Sequence, residues 1–304
     1  MTPGRSFFLF LSRNGALRHW MESSSLGQRL SSRFVAGEHL HQALAVCRRI
    51  QSQGIAATLD HLGENVTRIE EASASRDECL LALQRLKEAG LEDNVSIKLS
   101  QFGIDLDEDI CRRNVGQVVR AAAAQGGFVR IDMESSEYTG RTLRLVTDLH
   151  AQHGGTGAVI QAYLHRSEKD VEMLCGKEIR VRLCKGAYLE PPSVAFEKKE
   201  EVDRNFVLLM KKLLVEGAYP AIATHDESII QEALRFVAAG KIPADRFEFQ
   251  MLYGIRRDLQ RRLAKGGYRV RLYVPYGKAW YPYFMRRLAE RPANALFLIR
   301  NLLR

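Results

Sequence analysis

The chain has 304 residues and a mass of 34.4 kDa; with 46% hydrophobic and 27% charged residues it can bury a sizeable core as one large domain or two ordinary ones. Five dispersed cysteines, Cys47, Cys79, Cys111, Cys175 and Cys184, contain no CxxC pair, which argues against a disulfide framework or structural zinc and for a reducing, cytosol-facing compartment. A formal net charge of +9 and a pI near 9.4 favour anionic ligands: nucleic acid, a phosphorylated cofactor, an acidic substrate or an anionic membrane face.

Residues 1–50 read as helical, and 1–52 is taken as an N-terminal helical segment. Its apolar start at 7–11 is too short to span a membrane and lacks a cleavage-site pattern. No later run reaches the roughly 18 uninterrupted apolar residues a membrane helix needs. His39 and His41, two apart, should face different sides of a helix.

From residue 53 to 304 short apolar runs of strand length alternate with helical periodicity. The strands are expected at 55–59, 95–99, 128–131, 158–162, 179–183, 221–223, 246–250 and 269–274. Helices between them include 76–89, 106–124, 141–150 and 228–239, with stops at Gly90, Gly126, Gly154 and Gly240, since glycine takes the left-handed cap at no steric cost. Eight strand-then-helix units are the count of an α/β fold of the (β/α)8 TIM-like barrel class. A doubly wound open sheet competes, but the turn after the first strand, 60–64, holds one glycine and no GxGxxG.

In such barrels chemistry collects where strands end. The strand ends here carry Lys98, Asp132, Gln161, Arg182 with Lys185, Thr224-His225-Asp226, Gln250, and Tyr273 with Tyr276. Singly, each is as well explained as a solvated loop charge or a helix cap; the convergence on one rim points to a site. On the last helix Tyr283, Arg286, Arg287 and Glu290 fall at i, i+3, i+4 and i+7 and share one face. Two adjacent guanidinium forks suit a carboxylate or phosphate, with a solvated Arg pair as the alternative.

There is no GxSxG, no HExxH, no P-loop and no metal-ligand spacing. The basic residues at 256–271 scatter around a helix without interleaved aromatics, so no nucleic-acid partner is expected. The rim therefore suits a small carboxylate bound beside a phosphorylated cofactor that carries the reactive atoms, and redox chemistry on a flavin is the economical reading. A flavin-free (β/α)8 enzyme acting on a small phosphorylated or acidic metabolite is the alternative.

Several blocks, in order along 55–304, carry a resemblance: Arg130-Ile-Asp132-Met133-Glu134, Gln161-Ala-Tyr163, Arg182-Leu-Cys-Lys185-Gly186-Ala187-Tyr188, Ala223-Thr224-His225-Asp226, Phe247 through Gly254, and Tyr273 through Glu290. The chain resembles the proline dehydrogenase family in its short, monofunctional bacterial form. That resemblance implies FAD-dependent oxidation of proline to Δ1-pyrroline-5-carboxylate by hydride transfer to flavin N5, with the last helix over the barrel mouth. Electrons would pass to a membrane quinone, and the product to a Δ1-pyrroline-5-carboxylate dehydrogenase. It further implies a cytoplasmic enzyme with peripheral contact to the inner membrane face. By the same resemblance Lys98, Arg286 and Arg287 hold the substrate carboxylate, while Tyr273, Tyr283 and Leu252 pack on its ring. Asp132 and Arg182 are the catalytic candidates. Met133 (through its backbone), Gln161, Arg182, Lys185, Gly186, Ala187, Thr224 and His225 hold FAD, and Glu290 is grouped with them.

Overall fold

The structure is a computed structural model that describes Trp20, Met21, Ser24, Gly27 and residues 31–63, 66–281 and 283–285. Eight parallel strands close into a barrel in chain order. They are β1 (Ala56–His61), β2 (Asn94–Ile97), β3 (Phe128–Ile131), β4 (Thr156–Gln161), β5 (Arg180–Cys184), β6 (Ala221–Ala223), β7 (Glu248–Leu252) and β8 (Val270–Tyr276). Helix α1 (Leu40–Gln51) precedes the barrel. The crossovers are α2 (Ile69–Glu88), α3 (Glu108–Ala123), α4 (Ser136–His153), α5 (Ser167–Gly176), α6 (Lys199–Glu216), α7 (Glu227–Ala239) and α8 (Arg257–Lys265). The expected (β/α)8 class is the observed one.

The strand pattern shows why the barrel closes. Successive side chains point to opposite faces, and the outward set is apolar because helices cover it. Leu59, Val95, Ile97, Val129, Ile131, Val181, Leu183, Ile222, Phe249, Met251, Leu272 and Val274 are all buried in one core with the helices. Helix α3 supplies its share through Cys111, Val115, Val118, Val119 and Ala122, spaced as one stripe. Each valine contributes roughly 1.5–3 kcal/mol by leaving water, and the cysteine and alanine less. Its first turn is capped by Asp107, whose Oδ1 accepts from the Ile110 N–H at 2.9 Å.

The inward set is polar. Reading the register around the barrel, Thr58 and Asp60, Ser96, Arg130, Arg182, Glu248 and Gln250, and Arg271 and Tyr273 point to the lumen. Barrel interiors are usually filled by Val, Ile and Leu. Here hydrogen bonds fill it, since each buried charge needs a partner.

Element ends differ from expectation in informative ways. Helix α2 starts at Ile69, seven residues before the expected 76, because its polar first turn hides the periodicity. Gly90, Gly126 and Gly154 take positive φ at 65°, 73° and 64°. Gly240 does not: it sits at φ −81°, and Lys241 takes the left-handed conformation at 49°. His39 lies before α1 as its N-cap, and its ring stacks on His41 at 5.6 Å; the two do not face apart, because only one of them is helical.

Residues 36–37 are tied to the end of β8: the Ala36 N–H donates to Pro275 O at 2.8 Å, and the Gly277 N–H to Gly37 O at 3.0 Å. Phe34 and Val35 pack with Leu62, Trp280, Tyr281, Tyr283, Phe284 and Met285 in an apolar cluster that Tyr273 joins from the barrel.

Candidate active site

The polar strand ends meet at the C-terminal mouth, which divides into two halves. Strands β8, β1, β2 and β3 form one. Lys98 directly follows β2 and is 8% exposed; its Nζ donates to Asp60 Oδ1 at 3.0 Å and Oδ2 at 3.1 Å, and lies 3.4 Å from the Tyr273 hydroxyl. That hydroxyl donates to Asp132 Oδ2 at 2.8 Å. Burial first, then the Asp132 and Asp60 carboxylates, raises the Tyr273 pKa well above its ordinary value, so the phenol keeps its proton as a donor.

Arg182 joins the halves. From β5 its Nη1 donates to Asp132 Oδ1 at 2.7 Å, its Nη2 crosses the lumen to Ser96 Oγ at 2.9 Å, and its Nε donates to Gln250 Oε1 at 2.5 Å. The guanidinium also lies over the Tyr273 ring, 5.3 Å from its centroid. Three directions of restraint leave the planar fork one orientation. The chain continues downward: Gln250 Nε2 donates to Glu248 Oε1 at 2.5 Å, and Arg271 Nε donates to the same oxygen at 2.9 Å. Burial opposes ionisation of Glu248, but Arg271 and Gln250 outweigh it and hold the carboxyl below its ordinary range.

Strands β4, β5 and β6 form the other half. Gln161 Nε2 donates to Glu134 O at 2.9 Å, and its Oε1 accepts from the Ala187 N–H at 3.2 Å, which ties the loop after β5 to the end of β4. Gly186 sits at φ +120°, and a Cβ there would meet the Tyr163 ring at 2.3 Å. Lys185 Nζ is held by Asp203 and, at 2.8 Å, by Asp226 Oδ2. Asp226 caps α7; burial works against its charge, but Lys185 and Ser228 prevail and hold its carboxyl well below the usual range. Thr224 Oγ1 accepts from the Asp226 N–H at 3.1 Å. His225 Nε2 accepts from the Leu252 N–H at 2.9 Å, so the imidazole pins the end of β7 beside Tyr273, its register partner.

This half fits a flavin nucleotide by the chemistry of its donor set. A carboxamide, a guanidinium, an ammonium, a hydroxyl and an imidazole occupy three adjacent strand ends, and the loop at 185–187 offers backbone N–H groups beside them. The positive charge of Lys185 is offset by the two carboxylates that share it.

Most expected residues are thus brought together. Lys98, Asp132, Arg182 and Tyr273 form one hydrogen-bonded unit; facing it, Gln161 holds Ala187, His225 holds Leu252, and Lys185 and Thr224 are linked through Asp226. Met133 is buried directly after Asp132. Tyr276 does not reach the site: its ring turns outward into the main core, because it is three residues past Tyr273 and lies on the opposite face. Tyr283 is buried in the apolar cluster over Tyr273. Arg286, Arg287 and Glu290 lie outside the described residues. Two carboxylates were missed as site residues: Asp60, and Glu134, which accepts from the Ser100 N–H at 3.0 Å. Asp60 was signalled by the alternation Ala56, Thr58, Asp60, which places it on the lumen face.

Residues 43–300 match the family model described as proline dehydrogenase. Proline dehydrogenase 1 of Bacillus subtilis (strain 168) is 42% identical over 301 residues, covering 99% of this chain and 99% of its own. Proline dehydrogenase of Deinococcus radiodurans is 43% identical over 282 residues, 90% of each chain. Among solved structures, proline utilization A from Bdellovibrio bacteriovorus, inactivated by N-propargylglycine, is similar with a TM-score of 0.81 and 26% identity. That match covers 93% of this chain and 36% of the other.

Proposed function

The chain belongs to the proline dehydrogenase family and is an enzyme that oxidises proline, and from that premise we propose that it does so as a flavoprotein with FAD bound along β4, β5 and β6. The observation that carries this reading is the joining of Lys98, Tyr273, Asp132 and Arg182 into one unit beside the donor set of those strands. FAD would supply the two-electron acceptor for the hydride leaving the carbon next to the ring nitrogen.

The protein's own residues would bind and orient. Lys98 receives the substrate carboxylate, and Arg286 and Arg287 join it. The described charges at this point sum to zero, since Asp60 and Asp132 offset Lys98 and Arg182, so net attraction for an anion requires those further cations. Tyr273, Leu252 and Tyr283 exclude water from the ring. Arg182 presents a fixed positive charge to the cofactor edge where electron density gathers. Gln161, the Met133 backbone, Lys185, Gly186, Ala187, Thr224 and His225 hold the cofactor, and Glu290 is grouped with them.

Both oxygens of Asp132 already accept hydrogen bonds, one from Arg182 and the other from Tyr273, so it is not placed to take the proton of the amine. Proline must therefore react with its amine already neutral, and the rate should rise with pH toward the amine pKa. The product is Δ1-pyrroline-5-carboxylate, passed to a dehydrogenase for that compound, and the electrons go to a quinone. Among the described residues no helix is long and apolar enough to cross a membrane; the basic surface would make any bilayer contact peripheral and cytoplasmic. We also divide the chain at residue 52, with a helical segment preceding the catalytic barrel.

The test is the absorbance spectrum of the purified protein, recorded anaerobically with and without proline. Flavin bands that bleach on addition of proline are expected. A colourless protein that reduces no dye with proline after FAD is added would overturn the flavin reading in favour of a flavin-free barrel enzyme.

A further inference from the structure

Asp60 is fully buried, with no exposed surface, on the lumen face of β1. Its two oxygens lie 3.0 and 3.1 Å from Lys98 Nζ, a pair formed across 38 residues of sequence. Both side chains are almost out of water, the lysine at 10% and the aspartate at 0% exposure. An ammonium at such depth keeps its proton only if a carboxylate faces it, because desolvation penalises the charged form. The register places Asp60 opposite Ser96, one inward step below Lys98 on the neighbouring strand. The carboxylate therefore lies deeper in the lumen than Lys98, which follows β2 at the mouth.

We propose that Asp60 is a positioning residue for substrate binding: it keeps Lys98 charged and fixes its ammonium where the proline carboxylate docks. This rests on the reading that Lys98 receives that carboxylate. Asp60 also cancels the net charge of Lys98. Lys98 thus contributes orientation, and affinity for the anion depends on the ammonium being held in place. Removing the Asp60 charge does not simply strengthen the field at the mouth, because the ammonium loses the carboxylate that fixes its position.

The experiment compares the holoenzyme with Asp60→Asn, Lys98→Met and the double variant. The readouts are KM and kcat for proline and the affinity for a non-oxidisable cyclic carboxylate with oxygen in place of the ring nitrogen. Asp60→Asn should raise KM and weaken the analogue by about tenfold or more, the worth of a charge-assisted hydrogen bond, with kcat changed much less. The double variant should match Lys98→Met, because Asp60 acts only through the lysine. Unchanged or lowered KM in Asp60→Asn, while Lys98→Met raises it, overturns the role of Asp60 and leaves that of Lys98 standing. An unchanged KM in Lys98→Met overturns both. Additive effects in the double variant show that Asp60 acts independently of Lys98 and refute the proposal. Should Asp60→Asn fail to fold, Asp60→Glu keeps the charge but displaces the ammonium by about one carbon–carbon bond; a rise in KM supports the role, and a wild-type KM refutes it.

Discussion

Gly186→Ala isolates the geometry of the loop after β5. Gly186 sits at φ +120°, and an added Cβ would lie 2.3, 2.5 and 2.6 Å from three carbons of the Tyr163 ring. Tyr163 has little room to retreat. Its N–H donates to Lys185 O at 2.9 Å, its carbonyl accepts from the Phe196 N–H at 2.8 Å, and its side chain is buried. The backbone strain costs about 1–3 kcal/mol, and forcing the ring aside about 1–3 kcal/mol more. Gly90→Ala is the control. Gly90 also has positive φ, at 65°, but nothing lies within 4 Å of the place a Cβ would take there. That control should lose only about 1–2 kcal/mol. Urea denaturation of both variants gives the difference, and titration of the apoprotein with FAD gives its location, since Ala187 and Gln161 move with the loop. Equal losses in the two variants, together with wild-type FAD affinity in Gly186→Ala, would refute the reasoning.

Other outcomes follow from the ion pairs. Glu248→Gln leaves Arg271 with the half-exposed Glu92 as its remaining counter-charge and should cost about 1–3 kcal/mol in urea, less than the roughly 3–5 of a fully orphaned buried charge. Because the Glu248 pKa is lowered on folding, its contribution is present above the unfolded value near pH 4.3 and is lost as pH falls through the folded one; the variant should lack that part of the acid transition. Asp226→Asn keeps a capping oxygen but removes a partner of Lys185, so stability should fall by at most about 1–2 kcal/mol, and the wild-type advantage should vanish on acidification, which also removes the charge. Arg182→Lys cannot reach Asp132, Ser96 and Gln250 together; kcat should fall by about tenfold or more with a smaller change in KM, as stopped-flow reduction by proline would measure.

The site was easier to read than the element ends. Lys98, Asp132 and Gln161 could be located at the barrel mouth from the sequence because each follows an apolar run, whereas Arg182 lies within β5 and reaches the mouth by its length. Tyr276 shares the strand end with Tyr273 but turns into the core, because residues three apart on a strand lie on opposite faces. Asp60 was passed over because it sits beside a turn, although the alternation from Ala56 marked its face. Gly240 was assigned the cap that Lys241 adopts, as residue type alone does not say which of two neighbours turns.

Local pattern was enough to set the count of strands and the glycines that stop α2, α3 and α4, because these depend on contacts within a few residues. The pairings needed the folded barrel: Lys98 with Asp60, Arg182 with Ser96 across 86 residues, and Tyr273 with Asp132 across 141. Closure brings remote strands face to face, and once the lumen is dry each charge must take the partner that closure has put within reach.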